Sequence, residues 1–493
     1  MSESAVVVRT YGNWREPKAA GFGKLSFAAS MGLLAAMIGA VLIYTLFGMR
    51  WALVFAAVSA GGLWAVSSKD RHGMSVADRT GTLMRYRRAK RRKATIYRSG
   101  PLSVRATEGT CTLPGILSGS ILSEHVDAYE RPFALVHHGD GTLAVLMGVS
   151  PAGAALVDQD QVDQEVALWG MWLADLSGEL GIVGASVTVE SAPDTGARLK
   201  REVTSRTSPD APPVARRVLR DVVEEYRAGT AQVRSWVTVV FDPTRMSVRK
   251  RDQAQAARDI ASRLPGLTQT LQATGAGAVH LLTAAEVCRV VRVAFDPASE
   301  ALFEQAASRG EQVDISWAET GPVGAEASWD AYRHDSGVSR TWVVTRPPRG
   351  VIQSGVLANV LATSRDADRK RVTILYRPVD GAKAPDLVEG DLNKARARVE
   401  AASRPTARDI TELQAAQQVA MEEASGAGLV DFGILITATT TSEDLDDTAS
   451  AVASLAASSR LQVRTAFGAQ DSAFALALPL GLRPAAQMLG GGW

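Results

Sequence analysis

The segments RSWVTVVFDP (residues 234–243) and VDFGILITATT (residues 430–440) both have the hydropathy pattern of strands, and the same kinds of segment follow them. After the first come a helical segment and the apolar run AVHLL (278–282), and after the second come a helical segment and LQVRTAF (461–467). Strand, helix and strand in this order form half of a split β-α-β fold. The pattern suggests an internal duplication, although α+β domains in general share this order of elements.

The region beyond about residue 105 alternates between short strand-like runs and longer helical stretches. Residues 133–149 predict a β-hairpin, and residues 160–180 predict a helix with one apolar face. Thr283 and Glu286 have the spacing of a capping box at the start of a further helix. This alternation is typical of α+β domains.

Two long apolar segments lie near the N-terminus. LSFAASMGLLAAMIGAVLIYTLF (25–47) holds no charged residue, and WALVFAAVSAGGLWAVSS (51–68) follows after a turn that carries Arg50. About 20 apolar residues are enough to cross a bilayer as a helix. We therefore expect a transmembrane hairpin at residues 25–68, with the second segment near the lower length limit. A buried core helix is the alternative interpretation of each segment.

Positive charge is concentrated beside these apolar segments. Residues 1–100 contain sixteen Lys and Arg but only four Asp and Glu, whereas the whole chain has a formal net charge of only +2. By the positive-inside rule, the cations on both flanks predict a bacterial inner-membrane protein with both termini in the cytoplasm. The acidic balance of the remaining chain argues against nucleic acid as a direct partner of the large region.

The segment RYRRAKRRK (85–93) is a dense cluster of cations. We interpret it as a membrane-surface or lipid contact, because each cation near an anionic surface contributes about 1 kcal/mol of binding. Nucleic-acid contact and a solvated topology signal are the alternatives. The residues of this predicted site are Arg85, Arg87, Arg88, Lys90, Arg91, Arg92 and Lys93.

These patterns together predict a membrane-anchored α+β protein, in which an N-terminal two-helix transmembrane hairpin precedes two cytoplasmic α+β domains. A ferredoxin-like fold is one candidate for each domain. The predicted segments are a cytoplasmic N-terminus (1–24), the transmembrane hairpin (25–68), a basic juxtamembrane linker (69–105), a first domain (106–330) and a second domain (331–493).

The sequence contains no motif typical of catalysis. No G-x-x-x-x-G-K-[ST] pattern occurs, which excludes a P-loop ATPase, and H-E-x-x-H and G-x-S-x-G are also missing. Cys111 and Cys288 are too isolated for a disulfide framework or a cysteine metal site, and they suit a reducing cytoplasm. We expect no enzyme activity, no cofactor and no metal, although catalytic groups distant in sequence can converge in a fold.

Two other polar clusters have structural interpretations. His137 and His138 are adjacent on a predicted strand and point to opposite faces, so they do not converge on one metal ion. Several acidic residues lie near predicted helix starts, where carboxylates favourably oppose the helix dipole, and we interpret them as capping residues. These are Asp158, Asp160, Asp163, Glu443, Asp444, Asp446 and Asp447.

The N-terminal stretch YGNWREPKAAGFGKLS (11–26), followed at once by the paired apolar segments, resembles the small PrgI-type hairpin proteins of conjugative type IV secretion systems, especially actinobacterial proteins in which the hairpin is fused to a large cytoplasmic region. Residues 431–482 are similar to the end of the N-terminal half of a conjugative traffic ATPase. In that family the apolar LPL leads toward the motor domain, whereas this chain stops soon after it, at Trp493. The stretch 256–287 resembles the EccE membrane component of type VII secretion.

These resemblances imply a non-enzymatic inner-membrane structural subunit of a conjugative secretion apparatus, which docks a separate traffic ATPase and other subunits as part of an oligomeric complex. A type VII core-complex subunit is one alternative, and a membrane-tethered nucleic-acid-binding protein is another. The lipid membrane is the remaining expected partner.

Overall fold

The computed structural model describes residues 27–484 except 69, 71, 73, 101–111, 154–156, 195, 209, 227–230, 247–252, 349–351, 364–366 and 442–444. The predicted N-terminus (1–24), the stretch 11–26 and Cys111 lie outside the described residues. The boundaries predicted for the five segments stay predictions.

The helices precede, separate and follow the strands along the chain. They are α1 (Phe27–Phe47), α2 (Met49–Ser67), α3 (Val76–Arg91), α4 (Gln159–Gly178), α5 (Ala197–Arg206), α6 (Pro213–Tyr226), α7 (Pro243–Met246), α8 (Gln253–Leu271), α9 (Ala284–Phe295), α10 (Ser299–Ser308), α11 (Ala358–Leu361), α12 (Ala384–Ala401), α13 (Ala407–Ala424), α14 (Leu445–Ser458) and α15 (Gln470–Leu476).

The strands join into one 13-stranded sheet in which neighbouring strands are antiparallel. They are β1 (Ile96–Arg98), β2 (Ile121–Val126), β3 (Pro132–His137), β4 (Leu143–Ser150), β5 (Ile182–Pro193), β6 (Ala231–Phe241), β7 (Ala278–Leu281), β8 (Gly324–Ala327), β9 (Tyr332–His334), β10 (Gly337–Arg346), β11 (Arg369–Pro378), β12 (Val430–Thr440) and β13 (Gln462–Thr465).

The sheet contains the same arrangement twice. The first repeat has the strand order β7-β4-β6-β5, and the second has the order β13-β10-β12-β11. In both repeats the two central strands are the first and the third along the chain, which are β4 and β6 in the first repeat and β10 and β12 in the second. This order is characteristic of a ferredoxin-like α+β unit. Each repeat inserts a helical pair, α5 and α6 or α12 and α13, between its second and third strands. The repeated order of elements suggested by the sequence is therefore present in the structure, while an internal duplication stays an interpretation.

The two repeats are joined edge to edge. β5 of the first pairs with β11 of the second over seven residue pairs, from Lys370 opposite Ser191 to Tyr376 opposite Ala185. A short hairpin extends each repeat at its other side, because β3 pairs with the first half of β4 and β9 pairs with the start of β10. One continuous sheet thus connects both units.

Helices cover the sheet on both faces. α8 packs Ile260, Leu264 and Leu271 against strand residues such as Phe241, and all four side chains are fully buried. On the other face, α9 and α15 bring Phe295 and Phe474 together, with ring centroids 5.2 Å apart. Burying one large apolar side chain contributes about 1.5–3 kcal/mol. These two layers account for most of the hydrophobic core.

The helices that end the repeats are also held by two buried histidines. His138, at the turn after β3, lies 2.9 Å through its Nε2 from the carbonyl oxygen of Leu480, just beyond α15. His334, at the end of β9, lies 2.6 Å through its Nδ1 from the carbonyl oxygen of Phe295, the last residue of α9. Each histidine therefore contacts the terminal helical segment of the opposite repeat.

The transmembrane hairpin predicted for residues 25–68 is contradicted. Within the described residues, no helix is long and apolar enough to cross a membrane. α1 and α2 form at the two predicted apolar segments, but over its described residues neither has the length and apolarity that a membrane span requires. In the structure Gly48 separates the two helices, and Arg50 lies in the first turn of α2.

Candidate functional site

The helices α1 and α2 form a hairpin that is held together by close contact at glycines. A Cβ atom on Gly39 would lie 2.9 Å from the Phe55 ring, and one on Gly32 would lie 3.6 Å from Leu63. Glycine at these positions lets the two helices approach each other closely. The turn between them consists of Gly48, whose φ of 85° favours glycine.

The hairpin covers little of its own apolar surface. Among the described side chains of residues 31–65 none is buried, and Val58 is 70% and Leu46 is 69% exposed. Since each large apolar side chain gains about 1.5–3 kcal/mol on burial, so many exposed ones indicate a surface that another molecule covers. The exposed large side chains of this apolar hairpin are Met31, Leu33, Leu34, Met37, Ile38, Val41, Leu42, Tyr44, Leu46, Phe47, Met49, Trp51, Leu53, Val54, Val58 and Trp64.

A tight turn connects the apolar hairpin to α3. The carboxylate of Asp70 accepts hydrogen bonds from the backbone N–H groups of His72 and Met74, both at 2.9 Å, and it forms an ion pair with Arg79. Burial opposes ionisation of Asp70, but these hydrogen bonds and the cation hold its pKa below the ordinary value. Ser75 then caps α3 in a capping box with Asp78. Polar contacts thus link Asp70 and Ser75 to the start of α3.

The predicted lipid-contact residues lie on and just after the second half of α3, which we call the basic helix. All seven are exposed, and Arg88, Lys90 and Arg91 occupy its last turn. Cations at this end of a helix are favoured by the helix dipole. The structure therefore brings these residues together as one exposed cationic surface, while their lipid contact stays a prediction.

One aromatic contact fixes the basic helix to the sheet. The ring of Tyr86 meets Trp329 edge to face, with centroids 5.2 Å apart, and Trp329 stacks on Phe467 at 5.6 Å. The backbone N–H of Gly468 also donates to the carbonyl oxygen of Trp329, at 2.7 Å. The apolar hairpin and the basic helix are consequently connected to the folded body through defined contacts.

The histidine pair singled out by the sequence has structural roles. His137 Nε2 lies 2.8 Å from the hydroxyl of Ser123, whereas His138 faces Leu480. Desolvation lowers the pKa of both histidines. In the described part of the chain, no group of three or more His, Cys, Asp or Glu side chains could hold a metal ion.

Only some of the acidic residues that the sequence predicts as capping residues lie at the start of a helix. Asp158 occupies the position before α4, but its side chain accepts no capping hydrogen bond, and Asp160 lies in the first turn. Asp446 and Asp447 lie in the first turn of α14. Glu443 and Asp444 fall outside the described residues. An open polar groove of about 710 Å³ lies beside the start of α4.

A buried ionic cluster at the joint between the repeats was missed by the sequence interpretation. Glu190 on β5 contacts Arg369 and Arg371 on β11, and Glu300 on α10 contacts Arg369 and Arg234. The carboxylate of Glu190 and both β11 guanidinium groups are at most 5% exposed. The available signal was the run Arg369-Lys370-Arg371 directly before an apolar strand.

Comparison with known proteins gives one partial match. Residues 18–78, about an eighth of the chain, match a family described as a domain of unknown function, DUF8461. The matched range includes the apolar hairpin and the turn around Asp70. No curated protein matches the chain.

Proposed function

We propose that this protein is a non-enzymatic subunit of a bacterial secretion apparatus of the conjugative type and that it docks a separate traffic ATPase. The observation that supports this most directly is the apolar hairpin, whose exposed side chains need a covering partner. Defined contacts at Asp70 and Tyr86 connect this hairpin to a large body. That combination suits a docking subunit.

The C-terminal part of the chain supports the proposed link to traffic ATPases. The segment similar to their N-terminal half supplies β12, α14, β13 and α15, which belong to the second repeat and its cover. The LPL sequence is buried, and the hydroxyl of Thr238 on β6 donates to the carbonyl oxygen of Pro479 at 2.7 Å. The ATPase-like segment is therefore an integral part of the folded body.

We place the proposed subunit at the cytoplasmic face of the bacterial inner membrane, where the basic helix contacts anionic headgroups. Its seven exposed cations, at about 1 kcal/mol each near an anionic surface, are enough for reversible attachment. This attachment weakens as salt screens the charges.

The docking function is tested by affinity purification of the full chain, in mild detergent, from cells that carry the secretion genes. We expect a secretion ATPase to copurify at constant ratio. Recovery of the chain without any such ATPase would contradict the proposal. Recovery with subunits of a type VII system would favour that alternative.

The lipid contact is tested separately with vesicles of phosphatidylglycerol and phosphatidylcholine. Replacing the seven cations by Gln should lower vesicle binding at least tenfold at low salt, because each contributes to the electrostatic attraction. Lys394→Gln, Arg396→Gln and Arg398→Gln on α12 form the control. Equal losses for both variants, or retention of duplex DNA rather than vesicles by the parent chain, would reject lipid as the partner.

A further inference from the structure

The helix α6 has an apolar stripe that no part of the described chain covers. Val214, Val218 and Val222 are 70%, 53% and 43% exposed, and their i, i+4, i+8 spacing places them on one face. None of the described side chains of α6 is buried. Valine is a weak helix former, so three exposed valines in one line indicate a packing role rather than a local preference.

The charges of α6 are separated along its length. Arg216, Arg217 and Arg220 occupy the first part, and Asp221, Glu224 and Glu225 follow. This order is unfavourable for an isolated helix, because the dipole favours acidic residues at the N-terminal end and basic ones at the C-terminal end.

The charge order of α6 is complementary to that of a second α6 running in the opposite direction. Within the described part of the chain, neither Arg217 nor Asp221 takes part in an ion pair. Antiparallel pairing therefore supplies Arg217 and Asp221 with ion-pair partners that the described part of the chain does not give them.

The equivalent insertion in the second repeat shows the contrast. There α12 and α13 pack on each other, Val388 and Ala395 of α12 are buried, and Arg398 forms an ion pair with Glu412 of α13. The second insertion thus buries part of its apolar surface, although Leu387, Ile410 and Met421 stay exposed, whereas none of the described side chains of α6 is buried.

We propose that α6 pairs with α6 of a second copy of this chain, antiparallel about a twofold axis. The Val218 side chains of the two copies meet near the axis, and Arg217 of each copy lies opposite Asp221 of the other. A twofold interface uses the same patch on both copies, which a self-complementary helix provides. This goes beyond the proposed docking function, because it assigns a stoichiometry and a surface distant from the apolar hairpin.

The pairing is expected to depend on protein concentration. A helix of 14 residues is about 21 Å long, so two such helices bury less than the roughly 1,600 Å² of a standard stable interface. Dilution should therefore separate the copies.

The first test is disulfide cross-linking of the full chain in mild detergent, which covers the apolar hairpin, with Cys111→Ser in every variant. Val218→Cys should give mostly covalent dimer under mild oxidation. Arg216→Cys, on the opposite side of the same helix, should give at least fivefold less. Equal cross-linking at the two positions would overturn the proposal.

The second test is charge reversal followed by light scattering over a dilution series. Arg217→Asp and Asp221→Arg should each raise the dissociation constant of the dimer about tenfold. Each change places two pairs of like charges opposite each other across the twofold interface. The double variant should return to within about twofold of the parent chain. Dimers that are insensitive to all three changes, or a double variant as weak as the singles, would overturn the proposal.

Discussion

Replacement of Glu190 by Gln should destabilise the joint between the two repeats. Glu190 on β5 lies opposite Arg371 on β11, and its Oε2 atom accepts a hydrogen bond from the Nε–H group of Arg371, with a distance of 2.9 Å. The other carboxylate oxygen, Oε1, accepts a hydrogen bond from the Nη1 atom of Arg369 at 2.5 Å. Gln keeps the size of the side chain but removes the charge, so two buried guanidinium groups lose a carboxylate partner.

The expected loss is about 3 kcal/mol. Burial opposes ionisation of Glu190, but Arg369 and Arg371 lower its pKa from 4.5 to about 2. At about 1.4 kcal/mol per unit, this shift corresponds to roughly 3 kcal/mol of stability. Because the folded pKa is depressed, that stability is fully present above pH 4.5 and is lost as the pH falls toward 2. Removing one partner of a buried ion pair typically lowers the free energy of unfolding by about 3–5 kcal/mol, which agrees with the loss expected from the pKa shift.

The assay is urea unfolding of the full chain at pH 7 and pH 3, followed by tryptophan fluorescence. Glu179→Gln is the control, since Glu179 forms an ion pair with Arg263 at 3.4 Å but is about half exposed, and such a pair contributes less than about 1 kcal/mol. At pH 3 the difference between Glu190→Gln and the parent should shrink. A loss at pH 7 no larger than that of Glu179→Gln would refute the reasoning.

Three further predictions concern folding stability measured by the same urea titration. Desolvation lowers the pKa of His334 to about 4, so the folded state resists its protonation. Lowering the pH from 7 to 5 should therefore reduce the free energy of unfolding by about 2 kcal/mol, and a His334→Gln variant should lose most of that pH dependence. Gly277→Ala should lower the free energy of unfolding by at least about 2 kcal/mol, because φ is +68° and a Cβ atom would lie 2.1 Å from the carbonyl oxygen of Ser150. Gly310→Ala is the control: its φ is +74° but the space around it is open, so the loss should be only about 1 kcal/mol. Thr283→Ala removes a capping box and should cost about 1 kcal/mol, and an unchanged midpoint would contradict that role.

The sequence was sufficient for the repeated elements because their patterns are local. The β-hairpin at 133–149, the helix at 160–180 and the capping box at Thr283 are all present in the structure. β11 begins with three charged residues, Arg369, Lys370 and Arg371, which pair with β12, and the last two also pair with β5. The burial of Arg369 and Arg371 depends on Glu190 and Glu300, which are about 70 to 180 residues away in sequence, so no local pattern could reveal it.

The candidate site was only partly predictable for a related reason. The sequence shows the cations of residues 85–93 and the apolar character of α1 and α2, since both are properties of composition. The helix α6 carries the valine stripe of Val214, Val218 and Val222. Whether the valine stripe of that helix is covered depends on where the rest of the chain lies, and only the fold shows that it is exposed.

The repeated arrangement also explains how one chain can present two separate exposed apolar surfaces. Each repeat offers an insertion point between its second and third strands, and a helical pair inserted there leaves the sheet ladder intact. In the second repeat the two inserted helices contact each other, for example through the ion pair of Arg398 with Glu412. In the first repeat it leaves α6 uncovered, while the apolar hairpin and basic helix are fixed to the body elsewhere, at Trp329 near the start of the second repeat. Since the buried cluster around Glu190 holds the two repeats in one sheet, the proposed dimerisation through α6 would fix the relative orientation of the two apolar hairpins in the proposed docking subunit.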